Sequence, residues 1–336
     1  MKPDDVCLAL WDDAGSLIDA HVSAVCVDDG GLQLSYVVAA DCVNKLSVSM
    51  TACGVVVGPA VSVQSGYDAC NDTNNVASYD VGVGVKTGMA VNADGSTMAI
   101  SFARPLHQVH VFQLMPSFER VCVIGRKGTG PAKFDYPRRL CFTDAENILV
   151  CDRANNRVQQ LTVAGEYLSS FAVQDPISLA AHGDLVAIGT LDGPIEIHSL
   201  ATGELIRCFG SDGDGPGQIG DCATGLRFTH DRTCLLVAEF DNCRMALFTV
   251  DGVFAKHIGA GILDGWSDIS FGTGSEIIVA DYGNHRICVF SPDGDTLIKA
   301  WGLPGDAAGQ FELPTALAIS GSYLYVMDGS RVQVFE

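Results

Sequence analysis

A twelve-residue pattern returns along the chain, and no other feature restricts the fold so tightly. Segment 150–161 reappears at 279–290 and, more loosely, at 237–248. In all three an acid precedes an Arg by five positions: Asp152 and Arg157, Glu239 and Arg244, Asp281 and Arg286. Ungapped alignment on the apolar run that follows adds 101–112 and 187–198, which lack both residues, and a shortened copy at 326–335 that keeps Asp328 and Arg331. The acid column then falls at 103, 152, 189, 239, 281 and 328, near the roughly 40 to 50 residues that one four-stranded propeller blade requires. Six copies predict a ring of six blades.

A second motif recurs between the copies, a run of glycines leading to an aromatic, a proline and an apolar strand. It reads Gly125, Gly128, Gly130, Phe134, Pro137, then Gly302, Gly305, Gly309, Gln310, Phe311, Pro314, with Gly210, Gly213, Gly215, Gly217, Gln218 as a partial copy. Glycines permit positive φ where the chain passes between blades, and Pro suits a strand start that needs no ladder donor. The short alternating runs in each unit read as strands. The sixth copy supplies only three of them, so the alternating run 77–86 is expected to close the ring, with residues near 79–86 pairing against 332–335.

These residues resemble NHL repeats, a family of six-bladed propellers marked by a Gly-Gln-Phe-x-x-Pro lead-in and an Asp-x-x-Asn-x-Arg turn. Residues 1–69 carry instead two Asp-rich turns at 12–16 and 28–31, then strands, then a Gly-Pro step at 58–59, and resemble the C-terminal two thirds of a filamin-type immunoglobulin domain. The expected class is therefore all-β: a partial immunoglobulin-like β-sandwich at 1–69, a linker at 70–78 and a six-bladed propeller at 79–336. The order of parts is similar to that of the TRIM-NHL-like adaptors and ubiquitin ligases, although this chain shows no RING or B-box cysteine pattern. The resemblance implies that Asp152, Asn155, Arg157, Glu239, Asn242, Arg244, Asp281, Asn284, Arg286, Asp328 and Arg331 are structural. Physics agrees, since an acid and an Arg meeting across a tight turn form a charge-assisted hydrogen bond and Asn suits the turn itself.

Composition narrows the function. The net charge is −20, a field that repels phosphate backbones and anionic lipid and so argues against general nucleic-acid coating or membrane binding. The thirteen cysteines include no C-x-x-C pair and follow no signal peptide, so they are read as reduced thiols, mostly core residues of a cytoplasmic protein. The eight histidines form no H-E-x-x-H or triad spacing, and the inner-strand segments 179–181, 269–271 and 316–320 are apolar or small. Neither metal nor cofactor is expected.

Charge is unevenly spread. Residues 120–157 hold eight cations against four carboxylates, a net of +4, which leaves −24 for the rest. Because the loop between strands two and three and the connection between blades lie at one end of the disc, Arg126, Lys127, Lys133, Arg138, Arg139 and Arg153 are expected to converge on a top-face patch. The leading expectation is a non-catalytic protein-interaction scaffold, which the resemblance to NHL-repeat proteins implies is the partner- or substrate-recognition module of a cytosolic adaptor. Short single-stranded RNA on the basic patch is the alternative, and a metal-dependent lyase or hydrolase in the channel is the third.

Overall fold

The computed structural model describes residues 77–336 with their side chains, apart from 115–116 and 266–267, and N-terminal to these only the backbone of short strands. The chain divides into two units, 1–72 and 73–336. In the first, Val6–Trp11, Leu17–Ile18, Leu46–Ala52, Val55–Val56 and Val61–Val63 form an antiparallel sheet, and His21–Cys26 pairs with Leu32–Val37. The turns on which the filamin-type resemblance rests, 12–16, 28–31 and 58–59, lie outside the described residues.

The second unit is a ring of six four-stranded antiparallel sheets. Blade one runs Lys86–Val91, Thr97–Phe102, Gln108–Gln113 and Glu119–Ile124. Blade two runs Pro137–Phe142, Ile148–Asp152, Arg157–Leu161 and Tyr167–Ala172. The first strands of the other blades are Pro176–His182, Ala223–Phe228, Ile269–Phe271 and Pro314–Ser320. All six first strands face a common central channel.

A blade in a ring is covered on both faces, and the sequence is written for that. In Cys234–Glu239, Leu235 and Val237 pack toward blade three, while Leu236 and Ala238 pack toward blade five. Six apolar clusters result, one per blade interface. Each fully buried aliphatic side chain stabilises by about 1.5–3 kcal/mol, so the second and third strands, buried over most of their length, carry most of the stability. This two-sided burial accommodates the apolar residues of a chain with 18% charged residues and mean hydropathy +0.24.

The ring closes through Asn75–Asp80, which pairs antiparallel with Arg331–Phe335, Asp80 opposite Arg331 and Ala77 opposite Val334. The closing strand thus shares Tyr79 and Asp80 with the expected 79–86 and otherwise lies N-terminal to it. Gly82 and Gly84, with φ of +89° and +121°, turn the chain out of blade six, and Lys86 already opens blade one. The alternation of residues 77–86 continues through that turn, so periodicity alone misplaced the strand, and the propeller begins before residue 79.

Candidate functional site

The repeated acids hold the top face together. Asp152 is fully buried; its Oδ1 accepts the amide N–H of Asp135 at 2.7 Å, and its carboxylate also receives Asn155 Nδ2, Arg157 Nε at 2.8 Å and Gln159 Nε2. Arg157 in turn donates to the carbonyls of Gly130 and Lys133. The acid, the Asn and the Arg therefore fasten the glycine-rich lead-in onto its own blade. Asp281 repeats the arrangement with Asp264 N, Asn284 and Arg286, and Asp328 with Glu312 N, Leu313 N and Arg331. Glu239 holds Asn242 and Arg244.

Glycine is required in the lead-in for a specific reason. Gly125, Gly302 and Gly210 have positive φ, and a Cβ on each would lie 2.6 Å from Phe134, 2.6 Å from Phe311 and 2.3 Å from Ile219. The glycine makes room for a buried side chain nine residues on, and Ile219 is the partner that the partial copy has in place of the aromatic.

A further column links neighbouring blades. The variable residue before the Arg, or its counterpart, adopts positive φ at His107, Asn156, Cys243 and His285. Each reaches the next lead-in: His107 Nδ1 accepts Tyr136 N–H at 3.0 Å, Asn156 Oδ1 accepts Asp175 N–H at 3.0 Å, Cys243 Sγ accepts Gly265 N–H at 3.4 Å, and His285 Nδ1 meets Glu312 O. No sequence signal marks this position, because Asn, Cys and His share only a polar atom at similar reach. His107 is thereby buried and satisfied. Among the described residues, no group of three or more His, Cys, Asp and Glu could hold a metal. Of the described cysteines, only Cys141, Cys151 and Cys288 are buried; burial pushes the thiols of Cys141 and Cys288 up to about 12. The other five are half-buried or exposed rather than in the expected core: Cys122 and Cys208 sit on outer strands, Cys222 and Cys243 in connections, and Cys234 at the start of a second strand.

The expected basic patch separates into three groups. Arg126 and Lys127 are exposed on the lead-in loop, where Lys127 lies 3.7 Å from Asp135. The Lys133 chain lies against Gly128. Arg153 stands 3.4 Å from Asp175 and 5.9 Å from the Tyr136 ring, which Arg104 approaches at 5.7 Å. Arg139 leaves the surface altogether. A bulge between Pro137 and Leu140 sets Arg138 and Arg139 opposite one partner residue, and Arg139 crosses the channel to Asp268 Oδ2 at 3.1 Å and Thr224 O at 3.1 Å. The same carboxylate oxygen accepts Leu317 N–H, and Arg227 donates to Leu317 O. The channel is therefore stapled by arginines across blades two, four, five and six, and it is not uniformly apolar as its inner-strand segments suggested.

Above this staple, a cavity of about 180 Å³ opens to the top face, lined by Lys86, Arg138, Arg139, Thr87, Thr224 and Thr315 among others. Burial lowers the pKa of Lys86, with Asp80 acting against it. Burial, followed by the charges of Arg139 and Arg153, lowers that of Arg138, Tyr136 and Cys222 acting against it. Across blades three and four the top face is acidic: Asp221 has its carboxyl pushed up by Asp212 first, then by Asp241, burial and Asp192. Lys86, Arg104 and Tyr136 were not legible as site residues, since they come from three separate segments.

A family model for the NHL repeat matches residues 134–161, which span Phe134, the first three strands of blade two and the Asp152 to Arg157 turn. No curated protein matches the chain.

Proposed function

We propose that this chain is a non-catalytic protein-interaction scaffold whose top face receives a partner, as the recognition module of a cytosolic adaptor of the ubiquitin-ligase type. The observation that carries the proposal is the locking of the top loops: buried acids bind the lead-ins to their blades, and residues such as His107 and Asn156 bind them to the blade before. Such a face loses little entropy when it binds, and propellers with NHL repeats commonly serve as protein-interaction modules. Asp268, a buried carboxylate lining the channel, is already committed to Arg139 and Leu317, which counts against the lyase or hydrolase reading. Short single-stranded RNA is the weaker binding alternative, because Arg139 is withdrawn into the channel and Lys127 and Arg153 each face a carboxylate. Among the described residues, no helix is long and apolar enough to cross a membrane.

The test is capture of partners, from extract with and without nuclease treatment, by the full chain, by a top-face variant, Arg153→Glu with Lys127→Glu, and by a bottom-face control, Asp144→Lys. Loss of a partner with the top-face variant alone is expected. Capture that depends on intact RNA, or that only the bottom-face change removes, overturns the proposal.

A further inference from the structure

The cationic mouth of the channel is the least expected feature of a chain with net charge −20. Three cations, Lys86, Arg138 and Arg139, line it and no carboxylate does. Asp268, beneath the mouth, forms its one ion pair among the described residues with Arg139 and also accepts the Leu317 N–H. Lys86 makes no ion pair among the described residues; its ammonium donates to the Gly82 carbonyl. Among the residues that line the mouth positive charge therefore exceeds negative, with Asp80 acting on Lys86 from outside the lining, and the surroundings are partly desolvated, where a fixed cation acts most strongly on an anion.

Size and rim narrow the ligand. A volume of about 180 Å³ is below the roughly 300–1,000 Å³ of small-molecule pockets, and suits one side chain. The rim beside it is apolar and open: Val83 and Val85 are 85% and 54% exposed, and Val85 and Tyr282 reach the mouth itself. A free anion would use the cations and leave these valines without a role, whereas a peptide would use both.

We propose that the mouth is a socket for one oxyanion, a carboxylate or a phosphate, borne on a side chain of a partner's peptide segment. Lys86 and Arg138 hold the anion, and the Val83 to Val85 turn packs against the flanking residues. The proposal rests on the scaffold reading and names what that scaffold recognises.

The test uses the full chain and fluorescence polarisation with nonapeptide pools whose central residue is Glu, phosphoserine or Ala, with orthophosphate and a single-stranded RNA pool as competitors. The Glu or phosphoserine pool is expected to bind about ten- to a hundredfold more tightly than the Ala pool, and whichever of the two is tighter identifies the source of the oxyanion. Lys86→Gln and Arg138→Gln should each bring that preference close to the Ala level with the melting temperature little changed. Where Arg138→Gln fails to fold, Lys86→Gln decides. Equal binding of all pools, indifference to Lys86→Gln, displacement by orthophosphate at the concentration where peptide displaces itself, or tight binding of RNA alone would each overturn the socket. Partner capture that persists in Lys86→Gln while the pools are not distinguished refutes the socket and leaves the scaffold standing; the scaffold fails separately, if the wild-type chain captures nothing.

Discussion

Blades two and one differ at the same structural position. In blade two, opposite Pro137, Asp152 gathers an amide, an Asn, an Arg and a Gln without contact with solvent. In blade one the residue opposite Lys86 is Phe102, packed into the interface with blade six, and in blade three the residue opposite Pro176 is Thr190, which bonds to the Pro194 carbonyl. Yet blade one still fastens the next lead-in, through His107, as blade two does through Asn156. Two devices are therefore superposed in the turn. The acid secures a blade's own lead-in and can be replaced by apolar packing, while the left-handed residue secures the next lead-in and recurs with different chemistry.

Removing the seam should matter more than removing any turn. Deleting residues 73–80 leaves every clamp in place but exposes the edge of Arg331–Phe335, so cooperative thermal unfolding should vanish and aggregation should appear in light scattering. Preserved melting would mean that the clamps alone hold the ring. Next comes Asp152→Ala, which strands the half-buried Arg157 and the Asp135 amide. It should cost about 3–5 kcal/mol by chemical denaturation, against at most about 1 kcal/mol for Thr190→Ala in blade three. Equal costs would show that the two blades do not differ as described. His107→Gly should cost more than Asn156→Gly, each about 1–3 kcal/mol, because His107 is also buried whereas Asn156 is exposed.

The columns of Asp, Asn and Arg were legible in the sequence because a charged clamp tolerates few alternatives, and so were the six units and the need for a closing strand. The misreadings have local causes. Ungapped alignment set the acid column of the divergent blades at Ala103 and Gly189, whereas strand register puts Phe102 and Thr190 there; their turns differ from that of blade two by one residue in opposite directions. Arg139 read as a surface cation, since nothing in a two-residue period announces the bulge that turns it inward. The channel mouth draws on Lys86, Arg138 and Thr315, which only ring closure brings together, and one repeat unit read by itself contains no hint of it.

The smallest effect separates the two divergent blades from each other. In blade one, His110 Nε2 meets Gln108 Oε1 at 3.1 Å; in blade three, His198 Nε2 meets Glu196 Oε2 at 2.7 Å. Both rings are buried and lie two residues after their partner, but one partner is neutral and the other charged. Burial, with the Arg120 charge, lowers the pKa of His110 from 6.5 to about 4. Burial also opposes protonation of His198, but hydrogen bonds to Glu196 and the Gly203 carbonyl, with the Glu196 charge, raise its pKa above 6.5. The signs follow by linkage. As pH falls from 6.5 toward 4 the unfolded chain takes up a proton at position 110 that the folded chain refuses, so stability declines. The contribution of His198 is full below 6.5 and is lost as pH rises through its raised value. Exchanging the partners should exchange the behaviour: Gln108→Glu raises the His110 pKa, Glu196→Gln lowers that of His198, and ring-proton NMR titration reads both. If Glu196→Gln leaves the His198 titration in place, burial and the Gly203 carbonyl set its pKa and the carboxylate does not.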